Sequence, residues 1–261
     1  MNTQTSSDGT VGKALDILDS VVAFGRAVRF SEILDNSPYP KATLHRILQH
    51  LTSQEMLSYD EDRQVYVPGM RLVRIARHAW NQSSLAPLAL PFIESLASDV
   101  GETVHLAQME RSRVVFIEKT VPETGFRTMA EPGRRSPAHC TGVGKVMLAF
   151  MDAQRLAIAI DRQTWEVFTP ATHRGPDTLL AELDQIRNEG VGFDRAEHEQ
   201  GIISIAAPIF GNGGRVIGAL SVVTSTLRMS LEDLDRFRPA LLRTAGQIGR
   251  DGAVWPYPVA Q

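Results

Sequence analysis

Cysteine is almost absent from this sequence, with Cys140 the only one among 261 residues. A single thiol cannot form an internal disulfide, and it excludes the zinc and redox sites that use a CxxC motif. Long apolar runs are also missing, since no window approaches the roughly 18 consecutive apolar residues that a membrane span needs. The polar start, MNTQTSSDGT, lacks the apolar core of a signal peptide. These absences predict a cytoplasmic protein that does not contact a membrane.

The common signatures of catalysis and cofactor binding are missing as well. The sequence contains no GxSxG, HExxH, P-loop or glycine-rich dinucleotide motif. His139 and Cys140 are neighbours in the chain, so their side chains do not readily meet as a catalytic pair must. Together with Asp194 and His198 they could supply metal ligands, but their spacing is not a recognised zinc spacing. We therefore expect no catalysis, no cofactor and no metal.

Net charge is small, at -3, which at first argues against nucleic acid as a partner. The first 80 residues contain nine lysines and arginines and nine acidic residues, so no broadly basic domain exists. A sequence-specific DNA-binding protein needs only a local basic surface, because binding depends on the charges at the interface. The charge balance therefore leaves DNA binding open.

Three helices are predicted near the N-terminus. Residues 11–24 place apolar residues at helical spacing, namely Val11, Leu15, Leu18, Val21 and Val22. A short helix at residues 30–34 ends in DNSPYP, whose two prolines stop a helix. Pro40 suits the first position of the third helix, whose buried stripe is Leu44, Ile47, Leu48 and Leu51. This order of helices and tight turn is typical of a helix-turn-helix.

Two further elements follow the third helix. The segment MLSYDEDRQVYVP alternates apolar residues on either side of a polar turn at residues 60–64, which predicts a two-stranded hairpin, the wing. MRLVRIARHAW then returns to helical spacing, with one apolar side made of Leu72, Ile75, Ala76 and Ala79. We interpret residues 70–83 as a linker helix that contributes to a dimer contact.

From residue 101 onward strands and helices are mixed. ETVHLAQME with VVFIEKTV, and IISIAAPIF with VIGALSVVT turning at GNGGR, predict two hairpins, and FRTMAEPG predicts a strand. Helical spacing occurs in LPFIESLASDV, whose start Pro87 and Pro91 bracket, and in GVGKVMLAFM, DTLLAELDQIRNEG and LEDLDRFRPALLRTAGQIG. The pattern predicts an α+β domain, an antiparallel sheet with helices packed on it.

The polar face of the third helix carries candidate contacts to DNA. Lys41 and Thr43 lie in the first turn, where the helix N-terminus assists phosphate binding. Arg46 has the planar guanidinium that reads guanine in the major groove, and His45 could contact a base or a phosphate. Arg63 in the wing could reach DNA or pair with the acids at 60–62. An ordinary solvated helix face is the alternative interpretation. The candidate DNA-binding residues are Lys41, Ala42, Thr43, His45, Arg46, Gln49 and Arg63.

Four motifs occur in a specific order: PKATLHRILQHL, GETVHLAQ, AHCTGVGKVMLAF and EQGIISIAAPIF. With this ordered set the sequence resembles the IclR family of transcription regulators over about residues 11–248. The resemblance implies a winged helix domain followed by a GAF-like effector domain. It also implies assembly as homodimers or homotetramers on palindromic DNA operators.

The resemblance also implies an effector site. The aligned residues are Thr128, Ser136, Gly142, Val143, Asp194, Ser204, Ser221 and Val223. Many members have cysteine at the position of Ser204, and acid-binding members have a small polar residue at that of Val223. The backbone N–H groups of residues 142–144 open a predicted helix and could hold a carboxylate, or they could form an ordinary helix start. Asp194 could bind a ligand hydroxyl or cap the turn before Arg195.

These observations predict four regions: a flexible tail (1–10), a winged helix-turn-helix domain (11–69), the linker helix (70–83) and an effector-binding domain (84–250). We expect a sequence-specific transcription regulator, repressor or activator, controlled by a small organic or aromatic acid. Its partners are then double-stranded DNA, the effector and further copies of the chain. The alternative is a stand-alone small-molecule sensor or enzyme whose N-terminal domain contacts proteins.

Overall fold

The computed structural model describes residues 9–123, 125, 126, 128 and 130–252, with the backbone alone for 81–83. The chain divides into two compact units, and the boundary falls between Gln82 and Ser83. Most of the predicted tail lies outside the described residues, and its last residue, Thr10, already begins the first helix. None of the described helices combines the length and the apolar character needed to cross a bilayer.

The first unit contains a helix-turn-helix and a small antiparallel sheet. Its helices are α1 (Thr10–Ala23), α2 (Phe30–Asp35) and α3 (Lys41–Ser53), and its strands are β1 (Val28–Arg29), β2 (Leu57–Asp60) and β3 (Val65–Pro68). The strand order is β1-β3-β2. Strands β2 and β3 form the predicted wing hairpin, while the two-residue strand β1 was not predicted.

Helix α3 is held by the apolar stripe that its sequence predicts. Leu44, Ile47, Leu48 and Leu51 are all buried in the core of this unit. Pro40, the predicted first residue of α3, is its N-cap, so the helix begins one position later, at Lys41. Because the stripe fixes one side of α3 against the core, the polar side must face outward.

The first and fourth helices leave part of their predicted apolar sides exposed. On α1 only Leu18 and Val21 of the predicted stripe are buried, whereas exposure is 75% at Val11, 51% at Leu15 and 47% at Val22. The reason is that the buried stripe of α1 centres on Ile17, Leu18 and Val21. In α4 (Met70–Ser83) Leu72 packs against the core of the first unit, while the rest of the predicted apolar side is exposed, namely Ile75, Ala76 and Ala79.

The second unit is a six-stranded antiparallel sheet with helices packed on it, as predicted. The strand order is β6-β5-β4-β9-β8-β7. The strands are β4 (Thr103–Glu110), β5 (Arg113–Thr120), β6 (Arg135–Pro137), β7 (Gly192–Arg195), β8 (Ile202–Phe210) and β9 (Val216–Ser225). The helices are α5 (Ala86–Val100), α6 (Gly142–Ala149), α7 (Ala153–Asp161), α8 (Pro176–Glu189), α9 (Leu231–Asp235) and α10 (Arg238–Asp251).

Successive residues of a strand point to opposite faces of the sheet. Ala107, Ala206 and Ala219 belong to the face whose core includes α6 and α8. The small alanine side chains allow α6 to approach β8 and β9 closely, and this approach positions the N-terminus of α6 over the sheet.

Three predicted elements of this unit differ from the structure. No described position of 126–133 lies in a strand, positions 127 and 129 are outside the described residues, and β6 follows later in the chain. The predicted closing helix is two helices, α9 and α10, because Pro239 lacks the N–H that a continuous helix requires. Helix α5 begins at Ala86, earlier than predicted, and includes Pro91.

Candidate functional site

The polar face of α3 is the first candidate surface. Lys41, Ala42, His45, Arg46 and Gln49 are exposed, and Thr43 is half-buried. Among the residues that the structure describes, no hydrogen bond or ion pair occupies the side chains of Lys41 and Arg46. Both cations are therefore available to an anionic partner.

Two other candidates, His45 on α3 and Arg63 in the wing, make contacts within the protein. His45 packs edge-on against Phe30 of α2, with ring centroids 5.9 Å apart, so it helps to hold α2 against α3. In the wing, the backbone N–H of Arg63 donates to Asp60 Oδ1 over 3.0 Å. The Arg63 guanidinium is exposed and makes no ion pair within the described part of the chain.

A cavity in the second unit is the other candidate site. All eight residues of the predicted effector site line it: Thr128, Ser136, Gly142, Val143, Asp194, Ser204, Ser221 and Val223. They come from β6, the start of α6, β7, β8, β9 and the segment between β5 and β6. The fold thus brings together residues that are up to about 95 positions apart in the chain. The ligand of the cavity stays a prediction.

Strand register explains why these side chains meet. Asp194 is paired with Ser204, Ser204 with Val223, and Val223 with Thr103, which forms one row across four strands. In a neighbouring row Ser221 is paired with His105. Rows of paired residues point to the same face of the sheet, so these polar side chains line one wall of the cavity.

The start of α6 closes the cavity opposite this wall. Thr141 caps the helix, since its hydroxyl accepts a hydrogen bond from the Gly144 N–H over 3.2 Å. A Cβ atom on Gly142 would lie 2.9 Å from Ser204 Oγ, so glycine is what lets the helix come this close to β8. The first N–H groups of an α-helix have no partner inside the helix, and Gly142 and Val143 at this helix start line the cavity.

Two titratable groups of the cavity are strongly perturbed. Burial of the carboxyl group and the negative charge of Glu197 raise the pKa of Asp194 to about 7, although a backbone hydrogen bond from Glu197 lowers it. Burial and the positive charge of Lys119 lower the pKa of His105 to about 3. At neutral pH His105 is therefore uncharged and Asp194 is divided between its two protonation states.

Asp194 both caps the turn after β7 and lines the cavity, the two positions that its sequence context allows. Its Oδ1 accepts the backbone N–H of Glu197 over 2.8 Å, which caps the turn that follows β7. The same side chain lines the cavity. A ligand in the cavity would therefore contact a group that also orders the 194–197 turn.

Sequence reasoning missed half of the lining. The additional residues are His105, Phe116, Ala130, Arg134, Thr141, His198, Glu199 and Ile202. His105 lies within the GETVHLA motif and is paired with Ser221, so the pairing of β4 with β9 would have identified it. Arg134 and Glu199 lie outside regular strands, where no periodic pattern marks them.

The neighbouring residues His139 and Cys140 are both buried. The ring nitrogens of His139 lie 3.3 Å from Gln163 Oε1 and 3.1 Å from the carbonyl oxygen of Glu166. Burial raises the pKa of the Cys140 thiol. His139 is thus engaged by neighbours other than Cys140, and the thiol is held in its unreactive protonated form.

Comparison with known proteins decides the family. Residues 77–250 match the model of the bacterial transcriptional regulator IclR C-terminal domain, and residues 10–61 match the IclR helix-turn-helix domain. The chain belongs to the IclR family. The first unit, with its helix-turn-helix and wing, corresponds to the helix-turn-helix domain of the family. The second unit, with its antiparallel sheet, corresponds to the C-terminal domain.

Relatives along the whole chain are regulators by name. The HTH-type transcriptional regulator XynR of Escherichia coli is 29% identical over 92% of this chain and 96% of its own length. The HTH-type transcriptional regulator BhcR of Paracoccus denitrificans is 30% identical over 90% of this chain and 84% of its own length. The crystal structure of Thermotoga maritima IclR is similar with a TM-score of 0.78, at 25% identity, covering 94% of this chain and 98% of that one.

Proposed function

We propose that this IclR-family protein is a sequence-specific DNA-binding regulator whose operator binding is controlled by a small organic acid held in the cavity. The observation that carries the proposal is the convergence of eight predicted effector residues on a single cavity. It acts as a homodimer or homotetramer on a palindromic operator, because one recognition helix reads too few base pairs for genomic specificity.

DNA binding is assigned to the polar face of α3 and to the wing. Exposed Lys41 and Arg46 present two cations at one end of a helix whose other side is fixed in the core. Lys41 and Thr43 at the helix start contact phosphate, and Arg46 reads a guanine edge. Ala42, His45, Gln49 and Arg63 complete the proposed surface, with Arg63 reaching the backbone beside the wing.

The chemistry of the cavity supports an acid as its ligand. The N–H groups at the start of α6 favour an anionic acceptor. The hydroxyl groups of Ser136, Ser204 and Ser221 can donate hydrogen bonds to an acceptor such as a carboxylate, and Arg134 lies in the lining as a cation. Val143, Val223 and Phe116 supply an apolar wall for the rest of the molecule.

Size further restricts the ligand. The cavity has a volume of about 60 Å³, well below the roughly 300 to 1,000 Å³ of typical small-molecule sites. This volume favours a short-chain acid over an aromatic acid. A neighbour of similar fold, a Microbacterium hydrocarbonoxydans IclR homologue with a TM-score of 0.79 at 24% identity, was crystallised with 4-hydroxybenzoate, so both kinds of acid belong in the test.

The test joins DNA binding to ligand binding. The purified chain is titrated against a labelled fragment of its own upstream intergenic region, with and without short-chain acids and hydroxybenzoates. We expect a shift that weakens steeply with salt and is altered by one class of acid. Arg46→Ala should remove about 1 to 3 kcal/mol of discrimination, while Arg155→Ala, which removes the same charge from the second unit, should leave binding unchanged.

The cavity is tested with two variants of one residue. Ser204→Leu should fill the cavity and abolish the acid response while DNA binding persists. Ser204→Ala, which keeps the space and loses only the hydroxyl group, should weaken the response without removing it. A folded Ser204→Leu protein that still responds fully would remove Ser204 from the site, and loss of DNA binding by both variants would indicate a purely structural role.

A further inference from the structure

A buried cluster of charged side chains lies beside the cavity and is not part of it. Lys145 on α6 is fully buried, and its ammonium group binds Glu182 Oε1 of α8 over 2.8 Å and also Glu197 Oε1. Each carboxylate thus gives one oxygen to Lys145. The other oxygen of each, Oε2, points to His173, whose Nε2 lies 2.6 Å from Glu182 Oε2 and 3.7 Å from Glu197 Oε2.

Three possible metal ligands therefore converge. His173 Nε2 and one oxygen of each carboxylate all lie within 4.8 Å of one another. In a tetrahedral zinc site, bonds of about 2.0 to 2.2 Å place neighbouring ligand atoms roughly 3.3 Å apart. The distances of 2.6 Å and 3.7 Å from His173 lie on either side of that value, so shifts of less than about 1 Å would suit a metal ion.

Glu197 carries an observation that a simple ion-pair network does not explain. Its side chain is 3% exposed, and Oε2 has no hydrogen-bond partner within the described residues. A buried carboxylate oxygen without a partner is costly unless something binds it. Because this orphaned oxygen faces the His173 ring, it is aimed into the converging ligand set.

The surroundings also match those of a metal-binding histidine. His173 Nδ1 lies 2.9 Å from Thr178 Oγ1, and a hydrogen bond of this kind from the second ring nitrogen commonly orients a ligating imidazole. Glu182 Oε1 is held by Lys145 and Arg195, so the other oxygen of this carboxylate, Oε2, is left directed at His173 Nε2.

Charge identifies what a metal ion must displace. Lys145 and Arg195 together balance the two carboxylates, and Arg195 also contacts Glu182 Oε1. Lys145 is fully buried and cannot leave, whereas the side chain of Arg195 is 47% exposed. A divalent cation would therefore bind with the departure of Arg195 into solvent.

We infer that His173, Glu182 and Glu197 form a binding site for a divalent transition-metal ion, with zinc as the best match to one nitrogen and two oxygen ligands. Lys145 positions the site by holding the opposite oxygens of both carboxylates. The bound ion links α8, the 168–175 segment and the turn after β7, so its effect is to stabilise the native state.

The experiment is zinc titration of the full, untagged, chelator-treated chain by calorimetry, with melting temperature measured in parallel. We expect one zinc ion per chain and a higher melting temperature when zinc is present. His173→Gln should weaken binding by more than about 100-fold, since even outer-shell partners of a metal are worth about 10- to 100-fold. His78→Gln, which removes an exposed histidine of α4, should leave binding unchanged.

Arg195→Gln separates a metal site from an ordinary salt-bridge network. If the metal competes with Arg195, this variant should bind zinc more tightly than the natural sequence does, although it loses an ion pair. Failure of the natural chain to bind stoichiometric zinc, equal affinity in His173→Gln, or weaker affinity in Arg195→Gln would each overturn the inference. Zinc binding is measured without DNA or acid, so the outcome is independent of the proposed regulatory function.

Discussion

Asp194 should make the stability of the protein depend on pH. The folded protein holds the pKa of this carboxyl group at about 7, against an ordinary value of 3.8. Between these two values the folded chain keeps a proton that the unfolded chain releases, so this contribution is fully present below about pH 4 and is lost as pH rises to 7. About two pKa units of this range lie above pH 5, so raising the pH from 5 to 7 should cost roughly 3 kcal/mol of folding stability.

The variant Asp194→Asn isolates this effect, because its amide oxygen can still accept the Glu197 N–H but cannot ionise. Urea unfolding of both proteins at pH 5 and pH 8 gives their free energies of unfolding. From pH 5 to pH 8 the free energy of unfolding of the variant should rise by about 3 kcal/mol relative to that of the natural chain. Other titrating groups are common to both proteins and cancel. A difference that is constant from pH 5 to pH 8 would refute the assignment of a raised pKa to Asp194.

Three further predictions concern packing, the cavity and assembly. Lys145→Met leaves two carboxylates facing each other beside α6, and urea unfolding should show a loss of about 3 to 5 kcal/mol. Gly142→Ala places a methyl group 2.9 Å from Ser204 Oγ, so calorimetry should show weaker acid binding with the fold retained by circular dichroism. Light scattering at micromolar concentration should give a dimer or larger, and a strictly monomeric species with full operator affinity would contradict this.

The elements that the sequence predicts well are those in which periodicity and burial coincide. The stripe of Leu44, Ile47, Leu48 and Leu51 predicts α3 because one side of that helix meets the core and the other meets solvent. The hairpin of β8 and β9 is predictable because two aliphatic runs flank a glycine-rich turn. The secondary structure of each of these segments can therefore be predicted from its own residues alone.

Elements fixed by distant partners could not be predicted in this way. Strand β1 has two residues, which is too few for an alternating pattern. The buried residues of β7 are Gly192 and Asp194, so this strand has no alternation of apolar side chains. Each of the two strands exists because a neighbouring strand pairs with it. Helix α7 leaves most of its surface to solvent, with Ala159 as its one fully buried member. Its short amphipathic pattern gives little signal in the sequence.

The residues that line the cavity were also difficult to predict, because strands that are distant in the chain bring them together. Family resemblance led to eight of its lining residues, but the sequence alone marks Ser204 and Ser221 only as hydroxyl groups in aliphatic strands. Whether such a hydroxyl is satisfied locally or faces a cavity depends on which strands are neighbours. The pairing of β4 with β9 places His105 opposite Ser221, and this long-range pairing has no local signature.

Lys145 shows how a residue type can conceal a structural role. Lysine is rarely fully buried, yet every residue of α6 is buried, so this helix has no solvent-facing side on which a lysine could lie. Its charge must then be matched inside the protein. The two carboxylates that match it are 37 and 52 positions away along the chain. A helix that is apolar apart from one lysine therefore predicts buried acidic partners, and only the fold identifies them as Glu182 and Glu197.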